Sequence, residues 1–289
     1  MMSDFGRIIT AMVTAFDANE NLDLSKQTKL IEYLFQNETD SIIVNGTTGE
    51  SPTLSKEEKI MLFEHAVEHT KGKGKVIAGT GTNNTKESIE LTKKAEEIGV
   101  DGILLVNPYY NRPNQEGLFQ HFKTIAESTS LPVMLYNIPG RSAVNMTPET
   151  VLRLAETPNI TMVKESSGDL GQAVEILKHA PDNFLLYTGN DDLTLPTLSV
   201  GGYGVVSVTS HVKGNEMQEM IQSYLAGDIK KAAKLNQDLY DIFNVLFSSP
   251  SPGPVKRVLN HLGVEVGSTR LPIASLSAEE EKYILGFFN

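Results

Sequence analysis

Most lysines of this chain sit in Lys/Glu-rich segments with helical spacing, such as Lys93-Lys94 and Lys230-Lys231, where water keeps them charged. Lys164 instead follows Ile160-Thr161-Met162-Val163, a mostly apolar run bounded by turn residues, which reads as a buried strand. An amine carried into a low-dielectric site is pushed toward its neutral form, because desolvation disfavours the ammonium. A neutral amine is a nucleophile and forms a Schiff base with a carbonyl substrate. The alternative is a lysine that merely caps the strand and points to water, and position alone leaves that open.

Other residue types with chemical reach stand where further apolar runs end. Thr47 and Thr48 lie between Gly46 and Gly49. Such a segment is either a plain turn or a place where backbone N–H groups and hydroxyls meet a carboxylate. Tyr109-Tyr110 either packs a rim or makes an oligomer contact. Tyr136 ends the run before that of Lys164, so a hydroxyl–amine contact is within reach. Arg141, in Pro139-Gly140-Arg141, is either solvated or grips a carboxylate bidentately. Gly189 follows the next run.

The elements that carry these residues alternate. Strands are expected at 6–16, 41–45, 75–79, 102–107, 132–137, the run ending on Lys164, 184–188 and 204–208. Helices are expected between them at 24–35, from the capping box Ser55-Lys56-Glu57-Glu58 to about Thr70, and at 86–98 and 117–128. Others follow Thr147-Pro148, at 171–179 and at 195–199. Nearly continuous apolar strands alternating with helices give parallel βαβ units buried on both faces. Eight such units predict an α/β fold, a (β/α)8 TIM barrel. An open doubly wound sheet is the weaker alternative, because a closed barrel leaves no edge to protect. After Val208 only helices are expected: 217–225, 229–247, 255–262 and one opened by Ser277-Ala278-Glu279-Glu280, with a Pro/Ser break at 248–254. The division expected is therefore 1–212 for a catalytic barrel and 213–289 for a C-terminal helical extension. In such barrels the working residues sit at the C-terminal ends of strands.

The totals remove several classes of function. With 289 residues, 40% hydrophobic and 21% charged, the chain has an ordinary globular composition. A net charge of −11 argues against nucleic acid as a partner. The absence of cysteine removes disulfides, thiolate catalysis and Cys-type zinc sites. No targeting segment or membrane span is expected, so a cytoplasmic location is. His65-Ala66-Val67-Glu68-His69 fits a metalloprotease string, but its helix belongs to the outer ring and no third ligand accompanies it. Asn37-Glu38-Thr39, Asn45-Gly46-Thr47 and Asn83-Asn84-Thr85 match the glycosylation sequon, without meaning in a cytosolic chain. Gly79-Thr80-Gly81-Thr82 lacks what a nucleotide loop needs. No metal and no cofactor are expected.

The segments Gly46-Thr47-Thr48-Gly49-Glu50-Ser51, Pro108-Tyr109-Tyr110-Asn111, Tyr136-Asn137-Ile138-Pro139-Gly140-Arg141 and Val163-Lys164-Glu165-Ser166 resemble those of the dihydrodipicolinate synthase family. These are pyruvate-dependent class I aldolases of lysine (diaminopimelate) biosynthesis, and the resemblance runs in order over nearly the whole chain. The lysine and the strand-five tyrosine are shared with N-acetylneuraminate lyases; the Thr-Thr pair and the Gly-Arg turn are more specific to the synthases. The resemblance implies pyruvate and L-aspartate 4-semialdehyde as substrates, with Lys164 as the Schiff-base amine. It implies a proton relay of Thr47, Tyr136 and Tyr110, the last offered across a subunit contact of a homodimer or homotetramer. Thr48 would hold the pyruvate carboxylate and Arg141 that of the semialdehyde. Gly189 and Val206 would contribute backbone carbonyls near the lysine, Val206 standing where relatives often carry isoleucine.

Ser51, Asn83, Glu87 and Tyr109 match the family's lysine-effector pocket. Lys56 and Lys59 stand where lysine-inhibited members carry histidines, and Pro52 is also changed. Two ammonium groups beside a cationic effector repel it, so resistance to lysine is expected. Two other readings are a different pyruvate aldolase or lyase on the same scaffold and a barrel retained only for binding or regulation. Acceptor specificity tests the first, and failure to form any imine would favour the second.

Overall fold

The computed structural model describes residues 5–288. Eight parallel strands follow one another in sequence order around a closed barrel. They are β1 (Ile8–Ala11), β2 (Ser41–Val44), β3 (Lys75–Gly79), β4 (Gly102–Val106), β5 (Val133–Asn137), β6 (Ile160–Glu165), β7 (Leu185–Thr188) and β8 (Gly204–Ser207). Nearly every strand residue is buried, which is why the strands read as unbroken apolar runs rather than alternating ones.

The helices are α1 (Leu24–Gln36), α2 (Lys56–Thr70), α3 (Thr85–Ile98), α4 (Gln115–Ala126), α5 (Pro139–Ser142), α6 (Pro148–Ala155), α7 (Leu170–His179) and α8 (Thr194–Ser199). After β8 come α9 (Ser210–Leu225), α10 (Ile229–Val245), α11 (Gly253–His261) and α12 (Ala278–Leu285). The capping boxes at Ser55 and Ser277 both form, each serine accepting from the backbone N–H of the glutamate three residues on. Residues 76–206 make one compact unit, and residues 5–75 together with 207–288 make a second.

Several element bounds differ from expectation, each for a local reason. β1 ends at Ala11 although the apolar run continues to Phe16. Ala15 N–H donates to the Gln27 side chain at 2.8 Å, and Phe16 makes only an isolated antiparallel bridge to Leu22. That segment is buried as a loop. α4 and α7 start before the expected residues because Asn114 and Asp169 accept the first free backbone N–H groups. Thr147 precedes α6, but its hydroxyl turns to Gln115 and Thr150 and makes no cap bond. Residues 139–142, expected as a turn, form the single helical turn α5. α9 begins at Ser210, well before the expected 217, with a kink at Lys213 (φ −139°, ψ 34°). The 212/213 division lies inside it.

His65 and His69 face each other at a tilt of 43° with ring centroids 4.2 Å apart, and His65 Nε2 lies 2.9 Å from the Thr28 hydroxyl. Among the described residues no group of three or more His, Cys, Asp or Glu side chains is arranged to hold a metal ion. None of the described helices is long and apolar enough to cross a membrane.

Candidate active site

The ends of β4 to β7 lie within the unit 76–206 and carry two registered rows of side chains. Strand pairing aligns Val106 with Tyr136, Tyr136 with Lys164, and Lys164 with Tyr187. One residue further on, Asn137 pairs with Glu165, and Glu165 with Thr188. Successive strand residues point to opposite faces, so the two rows serve opposite faces of the sheet.

In the first row Lys164 is 7% exposed and Tyr136 4% exposed. The lysine Nζ stands 4.1 Å from the centre of the Tyr136 ring. The approach is to the ring face, whose quadrupole attracts a cationic nitrogen, and not to the hydroxyl contact that strand order alone suggests. Lys164 is therefore no solvent-directed strand cap. Gly189 closes the site on the β7 side: its N–H donates to the Glu165 carbonyl at 2.8 Å. A Cβ at Gly189 would collide with the Ser166 hydroxyl and stand 2.6 Å from Lys164 Cε. The residue must be glycine for the lysine chain to lie where it does. Val206 is buried on β8.

In the second row Glu165 is 5% exposed, and its carboxylate accepts from Asn137 Nδ2 (3.0 Å), Gln172 Nε2 (2.8 Å) and the Ser167 N–H (2.6 Å). Nothing in the sequence singles out Asn107, Asn137, Asn145 or Gln172 as functional, and Glu165 stands out only as part of a motif. The readable signal is that Asn107, Asn137 and Glu165 each follow an apolar run at equivalent ends of neighbouring strands.

Arg141 sits on α5, exposed, and its guanidinium has no hydrogen bond or ion pair among the described residues. Tyr110 is 92% exposed and holds φ at +72°, unusual for a bulky residue. Of the proposed effector residues in this unit, Asn83 Nδ2 donates to the Tyr109 carbonyl at 3.1 Å. Burial and the nearby Glu87 carboxylate together raise the pKa of the Tyr109 phenol.

Thr47 and Thr48 belong to the second unit. The turn containing them is closed by Glu50 N–H donating to the Thr47 carbonyl at 3.0 Å, and Thr48 is buried. The Gly49 carbonyl accepts from the Thr14 hydroxyl at 2.6 Å, and a Cβ on Gly49 would stand 3.0 Å from the Met12 carbonyl. Ser51 begins the short 3-10 turn that follows.

A barrel that seats a buried amine against a tyrosine at the strand ends belongs with the lyases of class I aldolase type, which hold a carbonyl substrate on lysine. The sequence comparisons narrow this class. The model of the dihydrodipicolinate synthetase family matches residues 4–285, and the chain belongs to that family. It is 56% identical over 275 residues to 4-hydroxy-tetrahydrodipicolinate synthase of Bacillus velezensis, covering 95% of each chain. Its fold is similar to the crystal structure of dihydrodipicolinate synthase from Bacillus anthracis, with a TM-score of 0.97 and 55% identity over 98% of this chain and 97% of that one. The enzyme of Cyanidioschyzon merolae, crystallised with lysine bound, is similar at a TM-score of 0.97 and 46% identity, covering 98% of this chain and 97% of that one.

Proposed function

We propose that this chain condenses pyruvate with L-aspartate 4-semialdehyde on Lys164 to give 4-hydroxy-tetrahydrodipicolinate, in lysine biosynthesis. The observation that carries the reading is the buried Lys164 amine, 4.1 Å from the Tyr136 ring centre. Its nitrogen attacks the keto carbon of pyruvate, water leaves, and an imine joins the two. The imine is an electron sink, so a methyl proton departs and an enamine forms. The enamine carbon attacks the aldehyde of the semialdehyde, whose oxygen takes a proton. The semialdehyde's amino group then adds to the imine carbon, displaces Lys164 and closes the ring.

Thr47, Tyr136 and Tyr110 move the protons in this scheme. Thr48 donates to the pyruvate carboxylate, Arg141 grips that of the semialdehyde, and the carbonyls of Gly189 and Val206 lie along the lysine's path. The exposure of Arg141, whose guanidinium has no hydrogen bond or ion pair among the described residues, supports its assignment. The exposure and positive φ of Tyr110 support a homodimer or homotetramer in which a neighbouring copy receives it, since strained residues cluster at functional contacts. A cytoplasmic enzyme, with 1–212 as its catalytic part and 213–289 as a helical extension, completes the proposal.

Turnover with a panel of aldehyde acceptors tests it. L-aspartate 4-semialdehyde should be the preferred partner of pyruvate, and Arg141→Ala should raise its KM far more than that of pyruvate. Preference for a sugar-derived acceptor, with Arg141→Ala silent, would make this a different pyruvate aldolase.

A further inference from the structure

The second row of strand-end residues has no part in the chemistry above, yet it is buried and built around a charge. Every group that points at the Glu165 carboxylate donates a hydrogen: Asn137 Nδ2 to both oxygens at 3.2 and 3.0 Å, Gln172 Nε2, and the Ser167 N–H. Among the described residues no cation pairs with it. A carboxylate buried without a counter-ion is costly unless charge-assisted hydrogen bonds satisfy it. An amide at this position would turn a donor toward donors. The site therefore specifies an acceptor at both oxygens.

The donors are held in turn. Asn137 Oδ1 accepts from Asn107 Nδ2 at 2.8 Å and from the Met146 N–H at 2.9 Å. Asn145 accepts from Asn137 Nδ2 at 2.8 Å and donates to Gln172 Oε1 at 2.9 Å, which closes a ring of amides around the carboxylate. The backbone adds Ser166 N–H to the Asn137 carbonyl at 2.9 Å. Tyr136 directly precedes Asn137, and Lys164 directly precedes Glu165. The 137–165 bond thus ties the ends of β5 and β6 together one residue beyond the phenol and the amine.

We propose that Glu165, gripped by Asn137 and Gln172, is a positioning residue that fixes the approach of the Lys164 amine to Tyr136 and to the carbonyl carbon of the substrate. It touches no reacting atom and acts by holding two strand ends in register. The proposal rests on the reading of Lys164 as the imine-forming residue. A misplacement of about 1 Å at a reacting centre costs on the order of 100-fold in rate, so a small slip of these strand ends is enough to register.

The test is the rate of pyruvate imine formation, followed by quenching with borohydride at successive times, in the wild type and in Glu165→Gln. We expect Glu165→Gln, folded by near-ultraviolet circular dichroism and melting above the assay temperature, to form the imine roughly 10- to 100-fold more slowly. The kcat/KM for the semialdehyde should stay within about twofold, because that ratio starts from the imine already formed. A folded Glu165→Gln that forms the imine at the wild-type rate overturns the proposal. Should that variant not fold, Gln172→Leu withdraws one donor from the same carboxylate. Slowing by about threefold or more supports the positioning role, and a smaller change overturns it. If the wild type itself forms no adduct, the reading of Lys164 is what fails, so the two failures are separable.

Discussion

Tyr136 and Lys164 occupy paired positions on neighbouring strands, and the lysine nitrogen stands 4.1 Å from the centre of the tyrosine ring. Equal register in a parallel ladder puts both side chains on one face, so the strand pairing itself makes the contact. Burial of both residues then keeps water from competing for the amine.

Gly189 leaves the space that the lysine chain fills. Gly189→Ala places a methyl group 2.6 Å from Lys164 Cε and against Ser166, so the amine must move. The expected result is imine formation slowed by roughly 10-fold or more, with a stability loss of about 1–3 kcal/mol from overpacking. Borohydride-quench rates and thermal melting check the two effects separately. A wild-type rate in the alanine variant would mean that the lysine path is not confined there.

The turn carrying Thr47 and Thr48 is anchored by a buried ion pair. Glu50, at φ +57°, accepts from Lys256 Nζ at 2.9 Å and from the Arg270 N–H at 2.9 Å. Lys256 also donates to the Ser268 carbonyl at 2.6 Å and lies 4.3 Å from the Phe16 ring centre. Burial pulls the Lys256 ammonium down to about 8, against the pull of Glu50. Lys256→Met strands the Glu50 charge and should cost about 3–5 kcal/mol. Glu50→Gln combined with Lys256→Met should cost less than Lys256→Met alone. Urea unfolding of the single and double variants gives the coupling; additive losses would contradict a functioning pair.

Two buried histidines set an acid limit. His211 is fully buried; its Nδ1 donates to the Val208 carbonyl at 2.8 Å, and its Nε2 accepts from the Val13 N–H at 3.1 Å, so the ring is held neutral. Burial lowers His211 and His121 to about 4 from the ordinary 6.5. The folded state thus binds fewer protons than the unfolded chain between these values. The stabilising contribution is complete above about pH 6.5 and is lost as pH falls through about 4. Denaturant midpoints should drop over that window, less steeply in His211→Gln. A midpoint independent of pH there would contradict the assignment.

Lys56 and Lys59 lie in the first turns of α2, where the family resemblance puts the histidines of lysine-inhibited members. Weak response to lysine is expected, with no half-inhibition below about a millimolar in steady-state assays. Inhibition below a millimolar would show that these ammonium groups do not oppose the effector.

Strand order is legible in the sequence because strands buried on both faces leave unbroken apolar runs, and the serine caps of α2 and α12 announce themselves by a glutamate three residues on. The starts of α4 and α7 are not, because Asn114 and Asp169 cap without such a box. β1 reads too long because residues 12–16 are buried as a loop, with Phe16 making only an isolated bridge to Leu22. Lys164 and Tyr136 stand out because a charge and a phenol end two successive runs. The contact of Gly189 with Lys164 leaves no mark in the sequence, since it depends on where a side chain folds back in space. The amides around Glu165 pass unnoticed because asparagine near strand ends also suits ordinary turns, and Gln172 reads as one more polar residue of helix α7.

The most direct test is reduction with borohydride in the presence of pyruvate, followed by peptide mass spectrometry. One reduced pyruvate should be found per chain, on the peptide carrying Lys164, and none in Lys164→Met. An adduct on another lysine, or no adduct with the folded wild type, would contradict the account at its centre.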